Sequence, residues 1–241
     1  MKVVAINSSP MKGEGNTALI LDSFLDGMRE AGAKVELFYT KNLKVNPCQG
    51  DYTCWLKTPG KCIHKDDMKM LLPKLAKADV WVFATPVYFD GISGAMKNVI
   101  ERMLPLVEPF FELRDNHCRH PRRQGTKSGK VVLVSSCGFW EMDNFDPLLV
   151  HMKAICKNAD REFAGALLRP HASAMKYMLH EGIPIDDIFA AANKVGRQLV
   201  ADGAMLPEPL QAVSRNLVTL EQLLQGANHF FQQILNNAKR E

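Results

Sequence analysis

The sequence predicts an α/β protein built on a parallel sheet with helices on both faces. Three observations carry this. Short apolar, β-branched runs recur at 3–6, 79–84 and 130–135, as expected of strands covered on both sides. Amphipathic stretches separate them, so strand and helix periods alternate along the chain. Loops of unusual chemistry follow three of the runs directly, at 7–17, 85–94 and 135–141. In open sheets of this kind, ligands bind beyond the carboxyl ends of the strands.

Taken in order, Val3–Ile6 is the first strand. The loop Asn7-Ser8-Ser9-Pro10-Met11-Lys12-Gly13-Glu14-Gly15 leads into an amphipathic helix over about 16–30, stopped at Gly32. Lys34–Tyr39 alternates polar and apolar residues and reads as the second strand. Residues 40–65 show no periodicity. A helix is expected over 66–77, with Asp66 and Asp67 at the positive end of its dipole. The strand at 79–84 is followed by Thr85-Pro86-Val87-Tyr88-Phe89-Asp90-Gly91 and a helix over 95–103. The basic segment 114–130, with Arg119, Arg122, Arg123 and Lys127, reads as a long exposed loop. Strand 130–135, helix 146–158, strand 162–168 and helix 185–201 follow. The tail from Leu206 to Glu241 reads as one or two further helices, giving a main domain over 1–205 and a helical extension over 206–241 expected to pack on the domain or on a partner subunit.

The composition excludes several function classes. With 241 residues and 46% apolar content, the chain can bury a substantial core. No apolar run approaches the roughly 18 residues of a membrane span. No charged and then apolar leader precedes the first strand, so a cytoplasmic protein is expected, with no membrane partner. The net charge of +4 arises partly from one local segment, which argues against a nucleic-acid partner. Six cysteines in such a chain argue against structural disulfides.

The first loop is neither a dinucleotide fingerprint nor a Walker A loop, since G-x-G-x-x-G and Gly-Lys-Ser/Thr are both lacking. Its hydroxyls and amide instead precede a helix N-terminus, where unpaired N–H groups and the helix dipole favour an anion such as phosphate. The second loop offers a rigid Thr85-Pro86, the aromatic pair Tyr88 and Phe89, and Gly91 and Gly94 for close backbone approach. The third offers Ser136, Cys137 and Gly138 followed by Phe139 and Trp140. A phosphate site beside a flat apolar site has the shape of a flavin mononucleotide (FMN).

At these residues the sequence resembles the flavodoxin-like NAD(P)H-dependent FMN oxidoreductases, which include the iron–sulfur flavoproteins. Asn7-Ser8-Ser9-Pro10 with Gly15-Asn16-Thr17, Thr85-Pro86-Val87-Tyr88 with Gly94-Ala95-Met96-Lys97, and Ser136-Cys137-Gly138-Phe139 carry the likeness. So does the cysteine segment from Cys48 to Met68. The resemblance implies a flavodoxin-like three-layer sandwich with a five-stranded sheet of order 2-1-3-4-5. It places the FMN phosphate on Ser9, Asn16 and Thr17, with Ser8 or Gly15 as a further contact. Pro86, Val87 and Tyr88 would line the ribityl chain and ring, and Cys137 and Gly138 would approach the ring from the other side. Tyr88 also reads as a core-edge tyrosine, Phe139 and Trp140 as aromatics that either flank the flavin face or pack at a subunit contact, and Lys97 as a capping lysine. The implied activity moves electrons from NAD(P)H through FMN to a small acceptor, such as a quinone, free flavin, or a nitro or azo compound. Flavin sites of this type are often completed by a neighbouring subunit, so a homodimer or homotetramer is expected.

The alternatives are a flavodoxin-like electron carrier and an iron–sulfur flavoprotein that serves a protein partner. The segment holding Cys48, Cys54 and Cys62 departs from the compact runs of cluster proteins and supplies three thiols where four are needed, so no metal is expected. His64 fits no standard zinc spacing. Cys156 reads as a buried thiol. The basic segment 114–130 reads as a solvated charge run, or as a surface that receives anionic NAD(P)H.

Overall fold

The computed structural model describes residues 1–238, so the end of the expected 206–241 extension, residues 239–241, lies outside the described residues. In chain order the elements are β1 (Lys2–Asn7), α1 (Asn16–Glu30), β2 (Lys34–Tyr39), α2 (Thr53–Leu56), α3 (Met68–Lys77), β3 (Val80–Pro86) and α4 (Gly94–Glu101). They continue as β4 (Glu112–Arg114), β5 (His117–Arg119), β6 (Lys130–Ser136), α5 (Asp146–Ala159), β7 (Glu162–Arg169), α6 (Ser173–His180), α7 (Asp186–Ala201), α8 (Pro207–Ser214) and α9 (Leu220–Ala238).

Five strands form one parallel sheet in the order β2-β1-β3-β6-β7, which is the expected topology with a hairpin inserted before β6. Alternation along the strands divides the core, because successive side chains point to opposite faces. Val3, Ala5, Val82 and Val132 pack against Leu21 and Phe24 of α1 and Val195 and Leu199 of α7. Val4, Ile6, Trp81, Phe83 and Leu133 pack against Leu71 and Leu75 of α3, Val99 of α4 and Met152 of α5. Each fully buried side chain of this size is worth about 1.5–3 kcal/mol.

Helices α1 and α7 cross at unusually short range. A Cβ on Gly27 would stand 2.0 Å from the Asn193 carbonyl oxygen, and one on Gly196 would stand 2.1 Å from that of Phe24. Each helix therefore needs a glycine where the other's backbone passes.

Elsewhere the structure corrects the expectations. The basic segment is not a long exposed loop. Its start forms the antiparallel β4–β5 hairpin, turned by Asp115 and Asn116 at φ +52° and +58°. Ion pairs hold the segment down, including Arg122–Asp160 and Lys127–Asp79. Helix α6 was not anticipated. Residues 40–65 contain the short helix α2, and a buried ion pair ties this stretch to the end of α4. Arg102 Nη1 and Nη2 donate to Asp66 at 2.7 and 3.0 Å, and Nη1 also reaches the Asn46 carbonyl. Burial alone would raise the Asp66 pKa, but the Arg102 hydrogen bonds and charge hold it at about 2.

In the tail, α8 buries Pro209 and Val213, whereas α9 buries no residue. Among the described residues, no helix is long and apolar enough to cross a membrane.

Candidate functional site

The loops after β1, β3 and β6 meet because those strands are neighbours in the sheet. Side-chain hydroxyls stitch the loops together. Ser8 and Ser93 bond through their Oγ atoms at 2.8 Å, and the Ser93 amide donates to Thr85 Oγ1 at 3.0 Å. Ser135 Oγ donates to the Thr85 carbonyl at 2.8 Å. Thr17 Oγ1 lies 2.7 Å from Ser136 Oγ, a contact that bridges 119 positions in sequence. The Ser93–Thr85 bond closes the second loop on itself, and the other three contacts fix one loop against another, so the crevice is preformed.

Ser9 is buried, and its Oγ accepts from the Met11 amide at 3.3 Å. A short 3-10 turn, Lys12–Glu14, then brings the chain back so that Gly15 lies against Ser9; a Cβ on Gly15 would stand 2.4 Å from Ser9 Oγ. Gly15 precedes α1 without a side-chain cap; its carbonyl accepts the Ala18 amide, which leaves the Asn16 and Thr17 amides as the orphan donors of the first turn. The Asn16 side-chain oxygen is buried and unpaired, as is the Asn7 side-chain nitrogen. Because amide oxygen and nitrogen are interchangeable by a flip, Asn16 can present a donor here. Neutral donors, a helix N-terminus and a backbone cradle that a methyl group would fill suit a phosphate. The site therefore fits the phosphate end of FMN. The Thr17 hydroxyl already faces Ser136, so its backbone amide is the donor it has left to offer.

Pro86 pairs in register with Ser136, and the Val87 amide donates to the Ser136 carbonyl at 2.9 Å. Tyr88 is half exposed at the base of a tight turn closed on Gly91, whose tip is Phe89 and Asp90. Phe89 beside it is fully exposed. Cys137 is buried, with its amide on the Arg169 carbonyl and its carbonyl on the Ala172 amide. Burial pushes its thiol pKa up, which leaves it a poor nucleophile at neutral pH. Gly138 is exposed with open space beside it, and Phe139 is also exposed.

Trp140 turns away from the crevice. Its indole donates to the Val218 carbonyl at 3.0 Å and stacks on His171. This support was not read from the sequence. Arg169 is fully buried and donates to the carbonyls of Pro170, Val213 and Arg215. Its Nη2 also lies 3.1 Å from His171 Nε2, which accepts the Leu217 amide at 2.9 Å. Two donors on Nε2 require a neutral imidazole with its proton on Nδ1. Burial, with Arg169 adding to it, lowers the His171 pKa to about 4. A lone arginine followed closely by histidine at a strand end is the only sequence signal for this support, and it is too common to be informative.

All six cysteines are free. Cys54 and Cys156 are buried, as expected for Cys156. Among the described residues, no group of three or more His, Cys, Asp or Glu side chains converges to hold a metal ion. Three thiols in 48–62 do not fit a four-thiolate cluster. The basic segment lies at the sheet edge where β6 begins, opposite the crevice at which it ends, so it is not placed to receive a nicotinamide there.

The chain is similar to an iron–sulfur flavoprotein of Archaeoglobus fulgidus, with 33% identity over 138 residues, covering 57% of this chain and 56% of that protein. An iron–sulfur flavoprotein of Methanocaldococcus jannaschii is 38% identical over 115 residues, covering 48% of this chain and 58% of that one. The chain thus spans little more than half the length of these relatives. Among solved structures, an azoreductase from Bacillus anthracis superposes with a TM-score of 0.61 at 14% identity, covering 82% of this chain and 99% of that one. An NAD(P)H:quinone oxidoreductase from Methanothermobacter marburgensis gives a TM-score of 0.56 at 16% identity, covering 83% and 96%. These likenesses establish a shared flavodoxin-like fold. Residues 1–144, which supply all three loops of the crevice, match the sequence model of one family. With that match, the chain belongs to the NADPH-dependent FMN reductase family.

Proposed function

We propose that the crevice binds FMN and that the protein is an NAD(P)H-dependent oxidoreductase passing electrons to a small acceptor such as a quinone, free flavin, or a nitro or azo compound. The observation that carries this reading is the phosphate cradle at Ser9, Gly15 and Asn16, locked to the two other loops through Thr17–Ser136 and Ser8–Ser93. Ser9, Asn16 and Thr17 hold the phosphate, the last through its backbone. Pro86, Val87 and Tyr88 line one side of the ribityl chain and ring, and Cys137 and Gly138 line the other.

Bound flavin supplies the hydride acceptor. The protein positions it, excludes water along the apolar wall, and offers loop amides near the ring. Fixed donors of this kind favour negative charge. Cys137 shapes the wall rather than donating to the ring, because its amide is held by the Arg169 carbonyl and its buried thiol stays protonated. Gly138 leaves the approach open to a nicotinamide or an acceptor.

The exposed apolar stripe of α9 supports a homodimer or homotetramer. In the extension, α8 packs on the domain through Val213, and α9 then docks on a second subunit. The deciding experiment is steady-state oxidation of NADH and NADPH by the FMN-loaded protein with quinone, flavin, nitro and azo acceptors in parallel. Turnover with at least one acceptor is expected. A flavin-loaded protein that turns over none of them is an electron carrier, and a preparation that retains no flavin refutes the reading.

A further inference from the structure

Strand β6 is 7 residues long, about 20 Å at roughly 3.3 Å per residue, so its starting edge is remote from the crevice at its far end. At that starting edge a cleft of ≈ 410 Å³ opens between the β4–β5 hairpin, the beginning of β6 and the α5–β7 turn. Its cationic walls are Arg114, Arg119, Lys130, Lys157 and Arg161, set against Asp115, Asp160 and Glu162. Two of those carboxylates are already engaged: Asp160 by Arg114 and Arg122, and Glu162 by Lys130. Among the described residues, Arg119, Lys157 and Arg161 make no ion pair.

Arg161 is the unusual member. It is only 6% exposed. Its Nη2 donates to the carbonyls of Ala78 and Lys127 at 2.8 and 3.1 Å, and its guanidinium lies 3.7 Å from the Trp81 ring centroid. Its Nε and Nη1 are buried with no partner. A buried charge with unpaired donors is costly unless something pairs with it. Burial lowers its pKa to about 10, so it remains a cation at neutral pH.

We infer that this cleft is a second ligand site, which takes a phosphate-bearing small anion with Arg161 as its buried anchor and Arg119 and Lys157 at its mouth. The planar fork of an arginine matches a phosphate through paired N–H bonds, and the lysine adds a point charge. The volume is that of a small-molecule pocket. The position excludes the nicotinamide of the proposed reaction, which must meet the flavin at the other edge. The inserted hairpin supplies part of the wall, so the basic run at 114–130 has a job other than receiving NAD(P)H.

The test uses FMN-loaded protein, so that the flavin phosphate site is already filled. Inorganic pyrophosphate is titrated by calorimetry into wild type and into the double variant Arg119→Ala/Lys157→Ala. Arg161→Met would also remove the bonds to Ala78 and Lys127 and risks unfolding, so the surface pair carries the test. Saturable binding in wild type, weakened about tenfold or more in the double variant with the flavin spectrum and Tm unchanged, is the expected result. A parallel titration with ADP separates the sources. Tighter binding than pyrophosphate supports the site and assigns a nucleotide, while equal binding supports it and assigns free phosphate. No saturable binding in wild type, or equal affinity in the double variant, overturns the proposal.

Discussion

His171 combines a left-handed backbone (φ +37°), complete burial and a neutral ring held by two donors. Its folded pKa lies below the ordinary histidine value of 6.5, so the unfolded chain binds more protons in between. Stability is therefore expected to fall as pH drops from 6.5 towards about 4, by roughly 3 kcal/mol at most. Urea melts at stepped pH measure this, and His171→Gln, which keeps an acceptor but does not titrate, should flatten that slope. Asp66 contributes its own loss only lower, between 3.8 and about 2, so the two effects separate. At the site, Gly15→Ala forces a methyl group onto Ser9 Oγ. FMN affinity should drop about tenfold, the equivalent of one or two hydrogen bonds, with a small change in Tm; fluorescence titration reads the first and thermal melting the second. Ser9, Asn16 and Thr17 were legible as phosphate-site candidates, because hydroxyls and an amide before a helix are a local signal. The pairing of Thr17 with Ser136 was not, because nothing local links residues 119 positions apart.

At the scale of elements, the α1–α7 crossing rests on Gly27 and Gly196. Gly196→Ala places a methyl group 2.1 Å from the Phe24 carbonyl oxygen and should cost about 1–3 kcal/mol through overpacking, read from the denaturation midpoint. Helix α9 raises a different question. Leu224, Phe230, Phe231, Ile234 and Leu235 stay about half exposed on a helix whose titratable residues are Glu221 and His229 alone. An apolar stripe of this spacing is usually covered. Phe230→Asp/Phe231→Asp is expected to reduce the solution mass to that of one chain; light scattering that finds the same mass in wild type and variant would sink the docking role. Long amphipathic helices such as α1 and α7 were legible from their period. The β4–β5 hairpin was missed because its strands are 3 residues each and mostly polar. The signal that could have found it is Asp115-Asn116, a pair that tolerates the two left-handed conformations of a tight hairpin turn.

For the whole molecule, ligand and fold are linked through three neighbouring strands. FMN bound only by the folded state should stabilise it by about 2.7 kcal/mol at a hundredfold excess over Kd, raising Tm by roughly 5–10 °C. Calorimetric scans of flavin-stripped and reloaded protein check this; identical melting would mean that flavin does not bind the native crevice. The alternation of apolar runs and amphipathic stretches was enough, by sequence alone, to determine a parallel sheet with its loops of interest at one edge, because strand burial and helix period are written in near neighbours. Only the tertiary structure decided which hydroxyls face one another, that Trp140 and Arg169 brace the third loop from behind, that the basic segment sits at the opposite edge, and that α9 is buried nowhere by the described residues. Those facts follow from register and from contacts between distant residues, and local patterns carry no record of either.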